Sequence, residues 1–173
     1  MWKSKKRRAL RRKEMRRKAA KRLQKIVGTS WAGMYRAADM PEFDYLGEKG
    51  ISIALHCFSR VLVTKGGTII LDSDDIYVPA AGVQPNEDLI YDIGECKFDV
   101  DNMMLRQALP LTVESIELKN HGVIQIELEQ GFSCSVLPWP NDQSEVWRVF
   151  YWHPHRHFGR HLVYYGNGMA RYE

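Results

Sequence analysis

The chain is 173 residues long, and its net charge of +4 is distributed very unevenly. Residues 1–25 contain fourteen of the 25 Lys/Arg residues and one of the 21 acidic residues, so this segment carries +13 and the other 148 residues carry −9. The two parts are expected to prefer partners of opposite charge, and the longer part is large enough for one stable domain. The sequence excludes a membrane-spanning helix, because it has no run of about 18 apolar residues.

The three cysteines, Cys57, Cys96 and Cys134, are widely spaced and form no C-x-x-C pair. Cys57 and Cys134 fall within apolar, strand-like runs, where a free thiol behaves as a small buried hydrophobe. Reduced thiols indicate a reducing compartment, and no apolar segment follows the basic N-terminus as it would in a secretory signal. We therefore expect a cytoplasmic protein.

The basic segment, residues 1–27, is predicted to be a helix, because good helix formers fill it from residue 5 onward without Pro or Gly. Its apolar residues Met15, Ala19 and Leu23 recur at steps of four and form a narrow stripe that could dock on the rest of the chain. Residues before about 12 lack this stripe and are expected to be solvated and mobile.

Residues 28–173 are predicted to form a single α+β domain. Runs rich in β-branched and aromatic residues predict strands. These runs are residues 31–40, 42–47, 51–65, 68–72, 112–119, 123–129, 132–137, 146–152 and 162–165. Short turns such as Gly66-Gly67 make the sheet mostly antiparallel.

One further helix is predicted over Asn102–Leu109, capped by Asp99 or Asp101 and ended by Pro110. The predicted fold class is therefore α+β: a mostly antiparallel, curved β-meander with one or two helices and the basic N-terminal helix.

The most acidic turn, Asp72-Ser73-Asp74-Asp75, directly follows a predicted strand. It is compatible with a solvated turn whose side chains cap backbone N–H groups, with an edge that binds a protein, or with a cation or catalytic site. It lacks the Gly and Glu of an EF-hand loop. As a protein-binding edge, it makes Asp72, Asp74 and Asp75 contact residues.

Aromatic residues crowd the C-terminal quarter of the chain. Most are expected in the core, and two or three could lie at the surface, where an aromatic side chain beside an acid anchors a protein partner. Glu145 and Trp147 are the second pair of predicted contact residues.

Histidines cluster near the C-terminus in the sequence WHPHRHFGRH. On a strand, His153, His155 and His157 would share one face and could hold Zn²⁺ or Ni²⁺. Pro154 interrupts a strand, and Arg156 adds positive charge beside the cation, so a polar turn that titrates near neutral pH is the alternative.

The sequence has no catalytic or cofactor-binding motif, such as G-x-x-x-x-G-K-[ST], G-x-G-x-x-G, G-x-S-x-G or H-E-x-x-H. His56 and Cys57 are adjacent, but neighbours on a strand point to opposite faces and cannot form a dyad. We therefore predict that the protein is not an enzyme and uses no cofactor.

The basic segment is compatible with three interpretations. It could bind nucleic acid non-specifically through phosphate contacts. The residues that would make those contacts are Arg7, Arg8, Arg11, Arg12, Arg16 and Arg17. It could lie on anionic lipid, although only Trp2 and Leu10 offer apolar insertion. In the third interpretation translation begins at Met15, and most of the segment is not part of the product.

Four segments together resemble a family of small bacterial immunity-like proteins. They are Gly33–Met40, Leu55–Arg60, Ser73–Tyr77 and Glu145–Phe150, and they contain the patterns G-x-x-R-A-A-D-M, S-D-D-x-Y and E-x-W-R-x-F. The resemblance covers about residues 27–152. Some members of this family look like immunity proteins of polymorphic or contact-dependent toxin systems.

The resemblance implies a protein that binds and neutralises a cognate toxin by occlusion, and it implies no catalytic residues. The charge of residues 26–173 agrees with this expectation, because a cationic nuclease toxin would be attracted to an acidic surface. The alternative is a small nucleic-acid-associated protein that uses the basic segment.

Overall fold

The basic N-terminal segment forms a helix that is anchored at one end. The computed structural model describes residues 2–47, 52–139, 144–152 and 161–173. Helix α1, Trp2–Leu23, is followed by a 3₁₀ turn, Gln24–Ile26. Ala19, Leu23 and Ile26 are fully buried, so the apolar stripe docks as the sequence indicated. The residues before 12 are also helical, and those of their side chains that the structure describes are exposed.

The described residues form one sheet of eleven strands, all paired antiparallel. The strands are β1 Ser30–Ala37, β2 Met40–Leu46, β3 Ser52–Cys57, β4 Arg60–Lys65, β5 Thr68–Asp72, β6 Leu111–Leu118, β7 Ile124–Leu128, β8 Phe132–Leu137, β9 Glu145–Trp152, β10 Leu162–Tyr165 and β11 Ala170–Tyr172. Their order across the sheet is β11-β10-β9-β3-β2-β1-β6-β7-β8-β4-β5. The predicted α+β class with a meandering antiparallel sheet is confirmed.

The sheet has two halves joined by a very short seam. Strands β1 and β6 pair only at Ser30–Thr112 and Trp31–Leu111, whereas β1 and β2 pair along seven positions. The inward side chains of both halves nevertheless belong to one hydrophobic core, which includes Phe43 of β2 and Ile126 of β7. The two halves of the sheet therefore share one interior, although only a short seam joins them.

Side chains along a strand alternate between the core face and the outer face of the sheet. In β2, Pro41, Phe43 and Tyr45 face the core, while Glu42 and Asp44 lie on the outer face. The period of two is the pattern expected of strands with one buried face.

Helix α2, Lys97–Arg106, begins earlier than the sequence predicted. Cys96 occupies the N-cap position, and Asp99 lies in the first turn instead of capping the helix. The predicted single strand over residues 51–65 is in fact two strands, because Phe58 and Ser59 form a bend between β3 and β4. Strand β11 was not predicted.

Candidate functional site

Three turns of the chain meet at one small cleft of about 140 Å³, which we call the acidic–aromatic cleft. The bend between β1 and β2, the bend between β3 and β4, and the 3₁₀ helix Ser73–Tyr77 all contribute to its walls. The lining residues are Asp39, Met40, Phe58, Ser59, Arg60, Ser73, Asp74, Tyr77 and Trp139. Except for Trp139, they all lie within Gly33–Met40, Leu55–Arg60 and Ser73–Tyr77.

Arg60 is held at the cleft by two carboxylates. Its Nε donates to Asp72 Oδ1 at 3.0 Å, and its Nη2 also donates to Asp72, so the pair is bidentate. Arg60 Nε also lies 3.1 Å from Asp74 Oδ2. Because a bidentate pair fixes the plane of the guanidinium, Arg60 is a positioned group and not a free cation.

Asp72 also orders the turn that carries the acidic cluster. It is the N-cap residue of the 3₁₀ helix, and its Oδ1 accepts the backbone N–H of Asp74 at 3.0 Å. Burial would raise the pKa of Asp72, but the hydrogen bonds from Arg60 and Asp74 outweigh it and lower that pKa below its usual value. These hydrogen bonds favour the ionised form of Asp72, which caps the turn.

The other acids of the turn have different surroundings. Burial raises the pKa of Asp74, although Arg60 opposes this shift, and the side chain is 39% exposed in the cleft. Asp75 instead pairs with Lys97 of α2, which also pairs with Asp101 at 2.8 Å. Of the three predicted contact residues, Asp74 is therefore the most accessible, whereas Asp72 and Asp75 pair with Arg60 and Lys97.

Three aromatic side chains around the cleft are exposed: Phe58 to 39%, Tyr77 to 44% and Trp139 to 48%. The hydroxyl of Tyr77 donates to Asp39 Oδ2 at 3.0 Å, and burial together with this carboxylate raises the pKa of Tyr77. Aromatic faces beside carboxylates form the environment that binds a Lys or Arg side chain, through cation–π and charge-assisted hydrogen bonds.

The second predicted pair of contact residues is not at the surface of this cleft. Trp147 is fully buried, its ring stacks on Tyr164 at 4.8 Å, and its Nε1 donates to the Gly122 carbonyl at 2.9 Å. Trp147 is therefore a core residue that a partner cannot reach. Glu145 pairs with Arg148, whose guanidinium lies 5.1 Å from the ring of Phe58.

The basic residues predicted to bind nucleic acid all lie on α1. The side chains of Arg7, Arg11, Arg12 and Arg17 are exposed. Arg16 is half-buried and donates to Asn120 Oδ1 at 2.8 Å and to the Leu118 carbonyl at 3.0 Å. The side chain of Arg8 lies outside the described residues.

The proposed histidine metal site, His153, His155 and His157, lies outside the described residues. The fourth histidine of that cluster, His161, is described: its ring lies 4.8 Å from Phe150, and its Nε2 is 3.6 Å from Glu173 Oε2. Within the described parts of the chain, no three His, Cys, Asp or Glu side chains are arranged to hold a metal ion.

His56 and Cys57 lie on opposite faces of β3, as expected for neighbours on a strand. Cys57 is fully buried, and burial raises the pKa of its thiol well above the ordinary value. His56 is half-buried on the outer face, where its ring lies 4.5 Å from Phe150. Burial, with the nearby Arg148, lowers the pKa of His56, which disfavours its charged form.

Sequence reasoning missed the residues that complete the cleft. Asp39, Phe58, Arg60 and Tyr77 lie within segments singled out for their resemblance to a family, yet they were not assigned to a site. Trp139 stands between Pro138 and Pro140 in a predicted loop, and an exposed Trp in such a loop is the signal that could have indicated it.

No described helix is long and apolar enough to cross a membrane. Comparison with protein-family models, with curated proteins and with solved structures finds nothing that matches this chain.

Proposed function

We propose that this chain is an immunity-type protein that binds a cationic toxin domain and neutralises it by occlusion. The acidic–aromatic cleft carries this proposal, because it combines exposed aromatic rings with more carboxylates than cations. Asp39, Asp72 and Asp74 lie at or beside the cleft, and the one guanidinium that lines it is Arg60.

A Lys or Arg side chain of the partner fits this cleft. Its cation would lie between Asp39 and Asp74, and its alkyl chain would pack on the rings of Tyr77 and Trp139. Binding energy in protein interfaces concentrates where aromatic and charged groups surround a pocket that becomes dry on association. The cleft is thus suited to hold one anchor residue of a larger interface.

The charge of the rest of the chain supports the same partner. Residues 26–173 carry −9, and an acidic surface speeds the encounter with a cationic protein and selects against anionic ones. Resemblance of the segments lining the cleft to immunity-like proteins is the second support.

The test is a pull-down with the tagged full-length chain from lysate of its own cells, with and without nuclease treatment. The full chain is needed, because Ala19, Leu23 and Ile26 are part of the core and truncation would disturb it. We expect one stoichiometric basic protein that survives nuclease treatment. When expressed alone that protein should be toxic, and co-expression with this chain should abolish the toxicity.

Two variants with matched controls locate the contact. Asp74→Lys should weaken capture of the basic protein. Glu117→Lys makes the same charge change at an exposed position of β6 and should not weaken it. Trp139→Ala should raise the Kd by about tenfold or more, while Ile69→Ala, which removes another exposed apolar side chain, should change it little. Recovery only of partners that disappear after nuclease treatment, or equal losses in variants and controls, would contradict the proposal.

A further inference from the structure

Helix α1 extends well beyond the part of it that is docked. Its 22 residues span about 33 Å at 1.5 Å per residue. Among the described side chains of α1, the buried or half-buried ones lie in its C-terminal half, from Met15 to Leu23, where α1 packs against β6 and β11. The described side chains between residues 7 and 14 are all exposed.

The basic side chains of the docked half are partly engaged with the sheet. Arg16 donates to Asn120 and Leu118, and the guanidinium of Arg22 lies 3.6 Å from the centre of the Tyr151 ring. The Tyr151 hydroxyl donates in turn to the Arg22 carbonyl at 2.8 Å. These contacts fix the helix axis on the body of the protein.

The described basic side chains of the outer half point in several directions around the helix axis. Successive helical residues are rotated by about 100°, so Arg11, Arg12 and Lys13 point in three different directions. Glu14 is the one acid among them, and it pairs with Lys18 at 2.9 Å. No acidic residue lies in the first turn to balance the positive end of the helix dipole.

We propose that the exposed half of α1 binds nucleic acid non-specifically through the phosphodiester backbone. A polyanion neutralises like charges that otherwise repel each other along the helix, and it releases its condensed counterions. The major groove of duplex DNA, about 12 Å wide, admits one α-helix. The phosphates of a single strand can also pair with basic side chains that point in several directions from a helix.

A membrane surface fits this helix less well. An interfacial helix needs an apolar face opposite a charged one. Among the described side chains of the outer half, Leu10 is the one large apolar residue, 61% exposed, and Arg7, Arg11 and Lys13 lie near it on the helix surface. This inference does not depend on the proposed capture of a toxin at the acidic–aromatic cleft.

The test measures binding of the full-length chain to fluorescent 25-nucleotide single-stranded RNA, single-stranded DNA and duplex DNA by anisotropy, between 50 and 200 mM NaCl. We expect micromolar or tighter binding at 50 mM that weakens steeply with salt. Each phosphate contact contributes roughly −0.7 to −0.9 to the slope of log K against log salt concentration. Comparison of the three probes shows which form of the backbone is preferred.

The key variant is Arg7→Gln/Arg11→Gln/Arg12→Gln, which keeps good helix formers and touches no buried contact. Its matched control, Lys65→Gln/Lys119→Gln/Arg171→Gln, removes three exposed charges from outside α1. We expect the helix variant to bind at least about tenfold more weakly at 50 mM and to lose about two units of slope. The control should keep most of the affinity and the slope.

Three outcomes would overturn the inference. The first is the absence of binding to all three probes at 50 mM NaCl. The second is an equal loss of affinity in the helix variant and the control, which would mean that the overall charge and not α1 binds the probe. The third is tighter binding to vesicles of phosphatidylserine and phosphatidylcholine than to any nucleic acid probe.

Discussion

Arg36 and Asp99 form a nearly buried ion pair that joins three separate segments of the chain. Their side chains are 8% and 10% exposed, and Arg36 Nε and Nη2 donate to the two oxygens of Asp99 at 3.0 and 2.8 Å. Arg36 also donates to the Tyr91 and Asp92 carbonyls, and the Gly94 N–H donates to Asp99. The end of β1, the loop before α2 and the first turn of α2 therefore depend on one another.

We expect Asp99→Asn to lower the free energy of unfolding by about 3–5 kcal/mol at pH 7, because it leaves the Arg36 guanidinium without its counter-charge. Burial would raise the pKa of Asp99, but Arg36 and the Gly94 N–H outweigh it and lower that pKa. The stabilisation is then present above the unfolded pKa, near 3.9, and is lost as the pH falls through the folded pKa.

Urea unfolding between pH 7 and pH 2.5 measures this effect. The difference between the two proteins should be largest above about pH 5 and should shrink steadily on acidification. Glu114→Gln, at an exposed position of β6, is the control and should change stability by less than about 0.5 kcal/mol. A difference that stays constant with pH would mean that Asp99 stabilises the protein by packing and not by charge.

The roles of individual acidic residues could not be predicted from the sequence. Asp72 and Asp75 are engaged by Arg60 and Lys97, which are 12 and 22 residues away along the chain. Such partners become neighbours only when the fold brings their segments together. Of the three predicted contact residues in the Asp72–Asp75 turn, Asp74 has the most exposed side chain.

At the scale of elements, helix α1 is attached through a short apolar stripe. Leu23 is 1% exposed and lies in the core, whereas Leu10 on the same helix is 61% exposed. We expect Leu23→Ala to lower the free energy of unfolding by about 2–5 kcal/mol, through lost burial and the cavity that remains. Leu10→Ala should change it by less than about 0.5 kcal/mol, and Ala is at least as good a helix former.

Urea unfolding, monitored by tryptophan fluorescence and by circular dichroism, tests whether α1 unfolds together with the sheet or separately. Coincident transitions in both signals would mean that α1 unfolds together with the sheet. A first transition in circular dichroism alone, shared by Leu23→Ala and the unmodified protein, would show that α1 unfolds separately and would contradict its place in the common core.

Most elements were predictable because their periodicity is local. The hairpin at Gly66-Gly67 and the helical stripe at Met15, Ala19 and Leu23 both depend on residues close in sequence. The break between β3 and β4 was not predictable, because residues 51–65 have high strand propensity throughout. Its cause is tertiary: the Phe58 N–H and the Ser59 hydroxyl both donate to the Val146 carbonyl, which turns the chain there.

The molecule as a whole places a basic helix and an acidic cleft on one folded framework. The basic helix is fixed by buried contacts with β6, β9 and β11, and the acidic–aromatic cleft is built from the turns at other strand ends. Both the order of the strands and the short seam between β1 and β6 arise from long-range pairing, which the sequence pattern did not predict. The two surfaces can therefore bind different partners without a change of fold.

The basic surface on α1 can be tested by ion-exchange chromatography, which needs no binding partner. Arg7→Gln/Arg11→Gln/Arg12→Gln and Lys65→Gln/Lys119→Gln/Arg171→Gln each take the net charge from +4 to +1. Adsorption to a charged surface depends on the local patch when the Debye length, about 10 Å at 0.1 M salt, is shorter than the molecule. On a cation exchanger at pH 7.5, we expect the helix variant to elute at clearly lower salt than the control variant. Co-elution of the two variants would contradict the presence of a separate basic surface on α1.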